Sequence, residues 1–250
     1  MTDALTLAIQ TPGLPWLVVI SLGAGLIYGF AGFGAALVYM PLSTVFLSPP
    51  LAVATMSVTA IGSIFTVLPQ AWAAANHRAA LTMLAAALVC TPFGLWALQI
   101  VDPQVIRWTV STLVVATLVL LISGWRYQTT PGPKSWTAVG SGVGLMGGAT
   151  GLNGPILILF QLAGKDNMAQ VRANSIVVLT LSGLSFMPIL LAQGALPKGA
   201  IALGMLLLIP YGLGGYLGRK LFRPEIGHIY RRIAYAVIAG SAILGLPLWD

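Results

Sequence analysis

Two glycine-rich strings interrupt long apolar stretches: Gly29-Phe30-Ala31-Gly32-Phe33-Gly34 and Gly147-Gly148-Ala149-Thr150-Gly151-Leu152-Asn153-Gly154-Pro155. Glycine is a poor interior helix residue, and proline, lacking an N–H, suits the first turn of a new helix. Each string therefore predicts two half-helices meeting at an unwound tip. A half-helix that starts at such a tip presents unpaired N–H groups and the positive end of its dipole, and both favour an anion. Gly32, Gly34 and Ala35 form the first tip; Thr150, Gly151, Asn153, Gly154 and Pro155 form the second. The side-chain oxygen of Asn153 can cap the helix that follows it. The next apolar segment in each case adds Thr55, Ser57 and Thr59, or Asn174 and Ser175. These groups point to the binding of an anion by main-chain donors, hydroxyls and an amide. Two other readings stay open. The glycines can serve close helix packing, since Gly25 and Gly29, Gly140 and Gly144, and Gly144 and Gly148 have small-xxx-small spacing. The polar side chains can serve hydrogen bonds between helices.

The rest of the chain must place these tips in a bilayer. Of 250 residues, 58% are apolar and 7% charged, with a mean hydropathy of +0.93. A water-facing domain carries about 25% charged residues, so a soluble globular enzyme is excluded. The net charge of +7 comes from twelve Lys or Arg against five acids. They are scattered between uncharged stretches, a pattern of loop anchoring that does not fit nucleic-acid binding. Cys90 is the sole cysteine, so no intrachain disulfide forms. The N-terminal residues carry no positive charge ahead of the first apolar stretch, which argues against a cleaved signal peptide.

Crossing roughly 30 Å of hydrocarbon takes about 20 apolar residues in a helix. Six stretches read as ordinary spans: 51–75, 79–101, 108–125, 173–193, 199–216 and 233–249. The glycine-broken stretches, 14–47 and 135–163, read as hairpins. A shift of 119 residues places Gly25 on Gly144, Gly29 on Gly148, Gly32 on Gly151, Thr55 on Asn174 and Pro69 on Pro188. With one residue of slippage, Pro92 falls on Pro210. The chain thus divides into a first repeat, 1–127, a linker, 128–134, and a second repeat, 135–250.

Lys and Arg prefer cytoplasmic loops. If all eight segments cross, the cations divide eight to four. If the two broken stretches are re-entrant, Arg78, Arg126, Lys134, Lys165, Arg172, Arg219, Lys220, Arg223, Arg231 and Arg232 gather on one side and leave Arg107 and Lys198 opposite. The second arrangement is favoured. It makes an all-α polytopic membrane protein of two inverted repeats, each a broken or re-entrant hairpin plus three transmembrane helices, with both termini outside. Irregular backbone at membrane depth must be buried or line a cavity, so the two tips should meet around a midplane site.

No interior Asp, Glu, Lys or Arg falls within the spans, which leaves the site to dipoles and neutral donors. His77 and Arg78 lie between two spans, and Cys90 reads as packing. Neither a Ser/His nor a metal-ligand cluster is present in the spans, so neither enzyme activity nor a cofactor or metal is expected.

The run Gly25-Leu26-Ile27-Tyr28-Gly29-Phe30-Ala31-Gly32-Phe33-Gly34, followed by Pro41-Leu42 and Ala52-Val53-Ala54-Thr55, resembles the opening of the sulfite exporter TauE/SafE family of membrane permeases. The string from Gly144 to Pro155 resembles that family's second glycine-rich motif. The resemblance covers nearly the whole chain. It implies export of sulfite or a small organosulfonate across a bacterial inner membrane; members also handle other sulfur-containing or carboxylate anions. The partners so implied are a small anion and the lipid bilayer, with no nucleic acid; oligomeric state, a homodimer included, is left open. A secondary transporter whose halves rock about the site is the leading expectation, and a passive anion channel is the alternative.

Overall fold

The structure is a computed structural model that describes residues 6, 8–123, 132–163, 168–221 and 227–246. Among these residues there is no strand. In chain order the helices are α1 (Leu14–Ala31), α2 (Ala35–Ser43), α3 (Pro49–Thr59), α4 (Gly62–Thr66), α5 (Leu68–Ala74), α6 (His77–Ile100) and α7 (Pro103–Ile122). They continue with α8 (Pro133–Thr150), α9 (Gly154–Ala163), α10 (Met168–Leu184), α11 (Phe186–Ala192), α12 (Ala200–Leu221) and α13 (Gly227–Leu244). Among the described residues, six stretches are long and apolar enough to cross a membrane: Leu14–Ala31, Pro49–Thr66, His77–Ile100, Pro103–Ile122, Ala169–Ala192 and Ala200–Leu221. Part of the expected linker 128–134, the cations Arg126, Lys165 and Arg223, and the last residues of the expected span 233–249 lie outside the described residues.

Local chemistry sets the helix ends. Pro15, Pro49, Pro103 and Pro133 sit in first turns, where the missing N–H has no helical partner to lose. The Asn76 side chain accepts from Ala79 N at 3.2 Å and starts α6, and Asp102 accepts from Gln104 N at 2.7 Å and starts α7. The turn between α6 and α7 is thereby held to two residues, Val101 and Asp102.

The sequence expectations need two corrections here. The limbs of the glycine-broken stretches are unequal: α1 and α8 each have 18 residues, while α2 has 9 and α9 has 10. At 1.5 Å per residue the first limbs are about 27 Å long, so they are full-length helices and only the second limbs are halves. The second concerns the helices of 51–75 and 173–193: both stretches hold candidate spans, Pro49–Thr66 and Ala169–Ala192, but neither is one continuous helix. The first divides into α3, α4 and α5, and the second into α10 and α11. The matched prolines Pro69 and Pro188 lie in the first turns of α5 and α11, where a ring displaces a helical hydrogen bond and separates the segments.

Glycine contacts fix the helix directions. A Cβ on Gly25 or Gly29 would collide with the carbonyls of Tyr211 or Gly215, and one on Gly218 with that of Leu26, so α1 and α12 run parallel with backbones touching. A Cβ on Gly140 or Gly144 would meet the carbonyls of Met83 or Ala87, and on Gly148 it would lie 2.7 Å from Thr91 O, so α6 and α8 form a second parallel pair. The packing reading of these small-xxx-small glycines is therefore realised. Pairing of Tyr28 with Ile176 and Thr180, and of Arg172 with Gly29 and Phe30, sets α10 antiparallel to α1. Gln170 and Asn174 reach Ala74 and Asn76 while Gln193 reaches Pro92, which sets α10 and α11 parallel to α6. It follows that α1 and α8 run in opposite directions.

The same contacts show where each broken stretch returns. Thr55 O and Val58 lie against Gly204, and Gly62 lies against Leu208 and Gly212, so α3 and α4 run parallel to α12. Because α1 does too, α1 and α3 start at one end of the bundle, and the chain between them goes out and comes back. Likewise α8 and α10 both start at the end where α6 starts. That end also receives Arg78, Lys134, Arg172, Arg219 and Lys220, with Arg231 and Arg232 in the first half of α13. Arg107 and Lys198 belong to the opposite end. Between the ends the outer surface is oily: Phe65 is 75% exposed, Val89 69% and Ile209 65%. Water would penalise such a surface, and lipid would not.

Candidate functional site

The two tips adopt backbone that only glycine enters cheaply. Gly32 (φ 80) ends α1, its N–H donating to Tyr28 O at 2.8 Å, and Gly34 (φ 91) immediately precedes α2. Gly151 (φ 76) ends α8 in the same way, on Gly147 O at 2.7 Å, ahead of Leu152, Asn153 and α9. A residue with a side chain at such φ costs about 1–2 kcal/mol. The reversals place the starts of α2 and α9 inside the bundle.

Between these starts lies a cavity of about 40 Å³, on the scale in which roughly 10–15 Å³ admits one water. It has room for a guest the size of three waters or so, which is the size of a small oxyanion. Gly34, Ala35, Ala36 and Leu37 border it from the first tip, and Gly151, Asn153 and Gly154 from the second. Ser57, Ser63, Thr180, Tyr28 and Tyr211 add polar atoms, while Val53, Met56, Leu179 and Phe186 form apolar wall. Among the described residues, no charged side chain lines it.

Hydrogen bonds decide which donors face a guest. Asn153 Nδ2 donates to Leu179 O at 3.2 Å and Ser182 Oγ at 3.3 Å. Ser57 Oγ donates to Gly183 O at 2.8 Å and accepts from Met187 N at 3.0 Å, closing the break between α10 and α11. Tyr28 Oη donates to Ile176 O at 3.1 Å and lies 2.7 Å from Thr180 Oγ1. These side-chain protons are committed within the protein. By contrast, no side chain caps α2, and its first helical bond runs from Val38 N to Gly34 O at 3.2 Å. The amides of Ala35, Ala36 and Leu37 are thus the orphan donors of a helix start, placed on the cavity with the positive end of a helix dipole behind them.

The twelve residues singled out from sequence divide. Gly34, Ala35, Ser57, Gly151, Asn153 and Gly154 line the cavity. Gly32 does not: a Cβ there would come within 2.6 Å of Arg172 Cγ. Thr150 Oγ1 donates to Met146 O at 2.7 Å and accepts from Leu152 N at 3.2 Å, closing its own helix end. Pro155 is buried in the first turn of α9. Thr55 and Ser175 are fully buried away from the cavity, their hydroxyls without a partner among the described residues. Asn174 Oδ1 accepts from Asn76 N at 2.8 Å and from Gln170 Nε2 at 3.3 Å, clasping the start of α10 to the turn before α6. The amide nitrogen of Asn153 reaches α10, so the residue braces the tip in addition to any contact with the helix it precedes.

Four polar cavity residues, Tyr28, Ser63, Thr180 and Tyr211, carry no spacing signal, because different helices bring them together. One cation of the expected loops is nevertheless buried at the start of a span. Arg172 belongs to α10, is 7% exposed, and donates from Nε to Phe30 O at 3.2 Å and from Nη2 to Gly29 O. The span begins before residue 173 because Gln170 and Asn174 anchor an additional helical turn. His77 and Arg78, by contrast, are exposed at the start of α6, with the His77 ring 4.9 Å from that of Trp72.

In comparison with known proteins, residues 17–244 fit the family model described as Sulfite exporter TauE/SafE. No curated protein and no solved structure matches.

Proposed function

The chain belongs to the sulfite exporter TauE/SafE family, and on that premise we propose that it is a secondary transporter carrying sulfite or a small organosulfonate outward across a bacterial inner membrane. Membership and the apolar helices make it a multi-pass membrane transport protein. The anion, the mechanism and the direction are the proposal. One observation carries it: two oppositely entering helix starts turn their main-chain amides to a cavity, beside the hydroxyls of Ser63 and Tyr211, and among the described residues no carboxylate lines it.

In this reading the two hairpins are re-entrant and belong to inverted repeats. The antiparallel course of α1 and α8 and the return of each stretch to its own end support it. The cation-rich end is cytoplasmic, which puts both termini in the periplasm. The guest is desolvated on entry, and the amides of Ala35, Ala36, Leu37 and Gly154 replace its hydration. Asn153 braces the second tip on α10, while Ser57 and Tyr28 join α3 and α1 to α10 and α11 in the conformation seen here. Glycine-packed pairs tie α1 to α12 and α6 to α8, each joining one helix from either half of the chain. Alternating access is then a movement of α1, α3, α4 and α12 against α6, α8, α10 and α11, a refinement of rocking by whole sequence halves. An inside-negative potential assists outward anion movement by about 2.3 kcal/mol per charge per 100 mV, so no coupling ion is required.

The test is a flux assay in proteoliposomes with sulfite, organosulfonates, sulfate, thiosulfate and small carboxylates, with and without an imposed potential. Saturable sulfite or sulfonate flux, accelerated by a potential that drives anions, is expected. Flux at channel rates without saturation would replace the transporter by the channel, and no anion flux would overturn the reading.

A further inference from the structure

Each tip is anchored to α10, by a different kind of group. The second tip reaches it through the Asn153 amide, on Leu179 O and Ser182 Oγ. The first tip has glycine at the matching position, Gly34, and cannot make that bond. Instead, Arg172 reaches from α10 to the first stretch, donating to the carbonyls of Gly29 and Phe30 in the last turn of α1. These are orphan acceptors at a helix C-terminus, where the dipole favours a cation. Gly32 leaves room for this approach, since any Cβ there would strike the arginine side chain and backbone. Arg172 is the one charged side chain counted as buried among the described residues. Placing a guanidinium there without such partners would be costly.

Only three residues separate Phe30 from Gly34, and α2 starts at the next one. The position of those two carbonyls therefore fixes where the Ala35, Ala36 and Leu37 amides point. We propose that Arg172 is the positioning residue of the first half-site: it holds the end of α1 so that the amides of α2 face the cavity, and it lends that half-site a fixed positive charge. The second half-site has Val53 at the position matching Arg172 under the 119-residue shift, and relies on Asn153 instead. The two half-sites are thus unequal, one set by a charge and one by a neutral amide.

This inference rests on the transport reading above, and its test separates the two. Full-length protein carrying Arg172→Gln or Arg172→Lys is reconstituted beside the unsubstituted protein. Sulfite KM and maximal flux are measured, and hydrogen–deuterium exchange is followed separately over 33–38 and over 152–158. Arg172→Gln should raise KM tenfold or more while maximal flux changes less than threefold. Exchange should accelerate over 33–38 and stay unchanged over 152–158. Arg172→Lys, which keeps the charge and one donor, should recover part of both effects. Exchange needs no substrate, so it tests positioning even if sulfite is not the cargo. If Arg172→Gln fails to fold, Arg172→Lys decides through the same exchange measurement. Unchanged exchange over 33–38 in a folded variant overturns the proposal, as does equal acceleration over both segments, which would mark a merely structural arginine.

Discussion

At the residue scale, Asn153 separates main-chain recognition from side-chain recognition. Its amide nitrogen bonds Leu179 O and Ser182 Oγ, and loss of buried hydrogen bonds of this kind costs about 1–3 kcal/mol. Asn153→Leu should leave folded protein with sulfite flux reduced tenfold or more, because the second tip loses its brace. Asn153→Asp keeps the shape and sets a carboxylate beside the bound anion, so at neutral pH flux should fall further than in Asn153→Leu. Concentration-dependent flux in proteoliposomes checks both; an active Asn153→Asp protein would refute an anion next to this residue. The glycines and Asn153 were legible in the sequence because reversals inside a helix demand unusual residues. Tyr28, Thr180, Ser63 and Tyr211 were not, since a hydroxyl on an apolar helix looks the same whether it meets lipid, a neighbouring carbonyl or a cavity. The end at which Arg172 lies was legible but its burial was not, because one residue of uncertainty at a span boundary decides whether a cation is buried.

At the element scale, glycines of similar spacing do different work. Gly148 touches the backbone of α6: a Cβ there would lie 2.7 Å from both Leu95 N and Thr91 O. Gly23 lies on the same helix as Gly25 but has nothing within 4 Å. Gly148→Ala should part α6 from α8 and cost about 1–3 kcal/mol, as overpacking does, whereas Gly23→Ala should be neutral or stabilise by up to about 1 kcal/mol through helix propensity. Thermal unfolding of the two purified variants checks this, with a lower midpoint expected for Gly148→Ala alone. Sequence spacing cannot separate such cases, because small-xxx-small patterns describe a stripe and not what lies against it. The shared prolines did mark a real feature, the breaks before α5 and α11. The unequal limbs of the hairpins were hidden, because α1 and α2 are both apolar and only the position of Gly32 relative to Leu14 sets their lengths.

At the scale of the whole molecule, the proposed motion runs between two bundles that each take helices from both halves of the chain. Ser57 and Met187 meet across that boundary, with Met187 N donating to Ser57 Oγ at 3.0 Å. In a Cys90→Ala background, Ser57→Cys with Met187→Cys should transport when reduced and stop when bridged by a short thiol cross-linker. Cysteines replacing Gln99 and Gln193, which meet at 2.8 Å within one bundle, should tolerate bridging. The reverse pattern would return the motion to the sequence halves. The most direct measurement of the central claim, that main-chain amides hold an anion between the two tips, is an experimental structure with selenite, a heavier analogue of sulfite located by its anomalous scattering. A peak is expected in the cavity, within hydrogen-bond reach of the Ala35, Ala36 or Leu37 amides and of Gly154. An empty cavity at selenite concentrations that saturate flux, with the anion bound elsewhere on the protein, would contradict it.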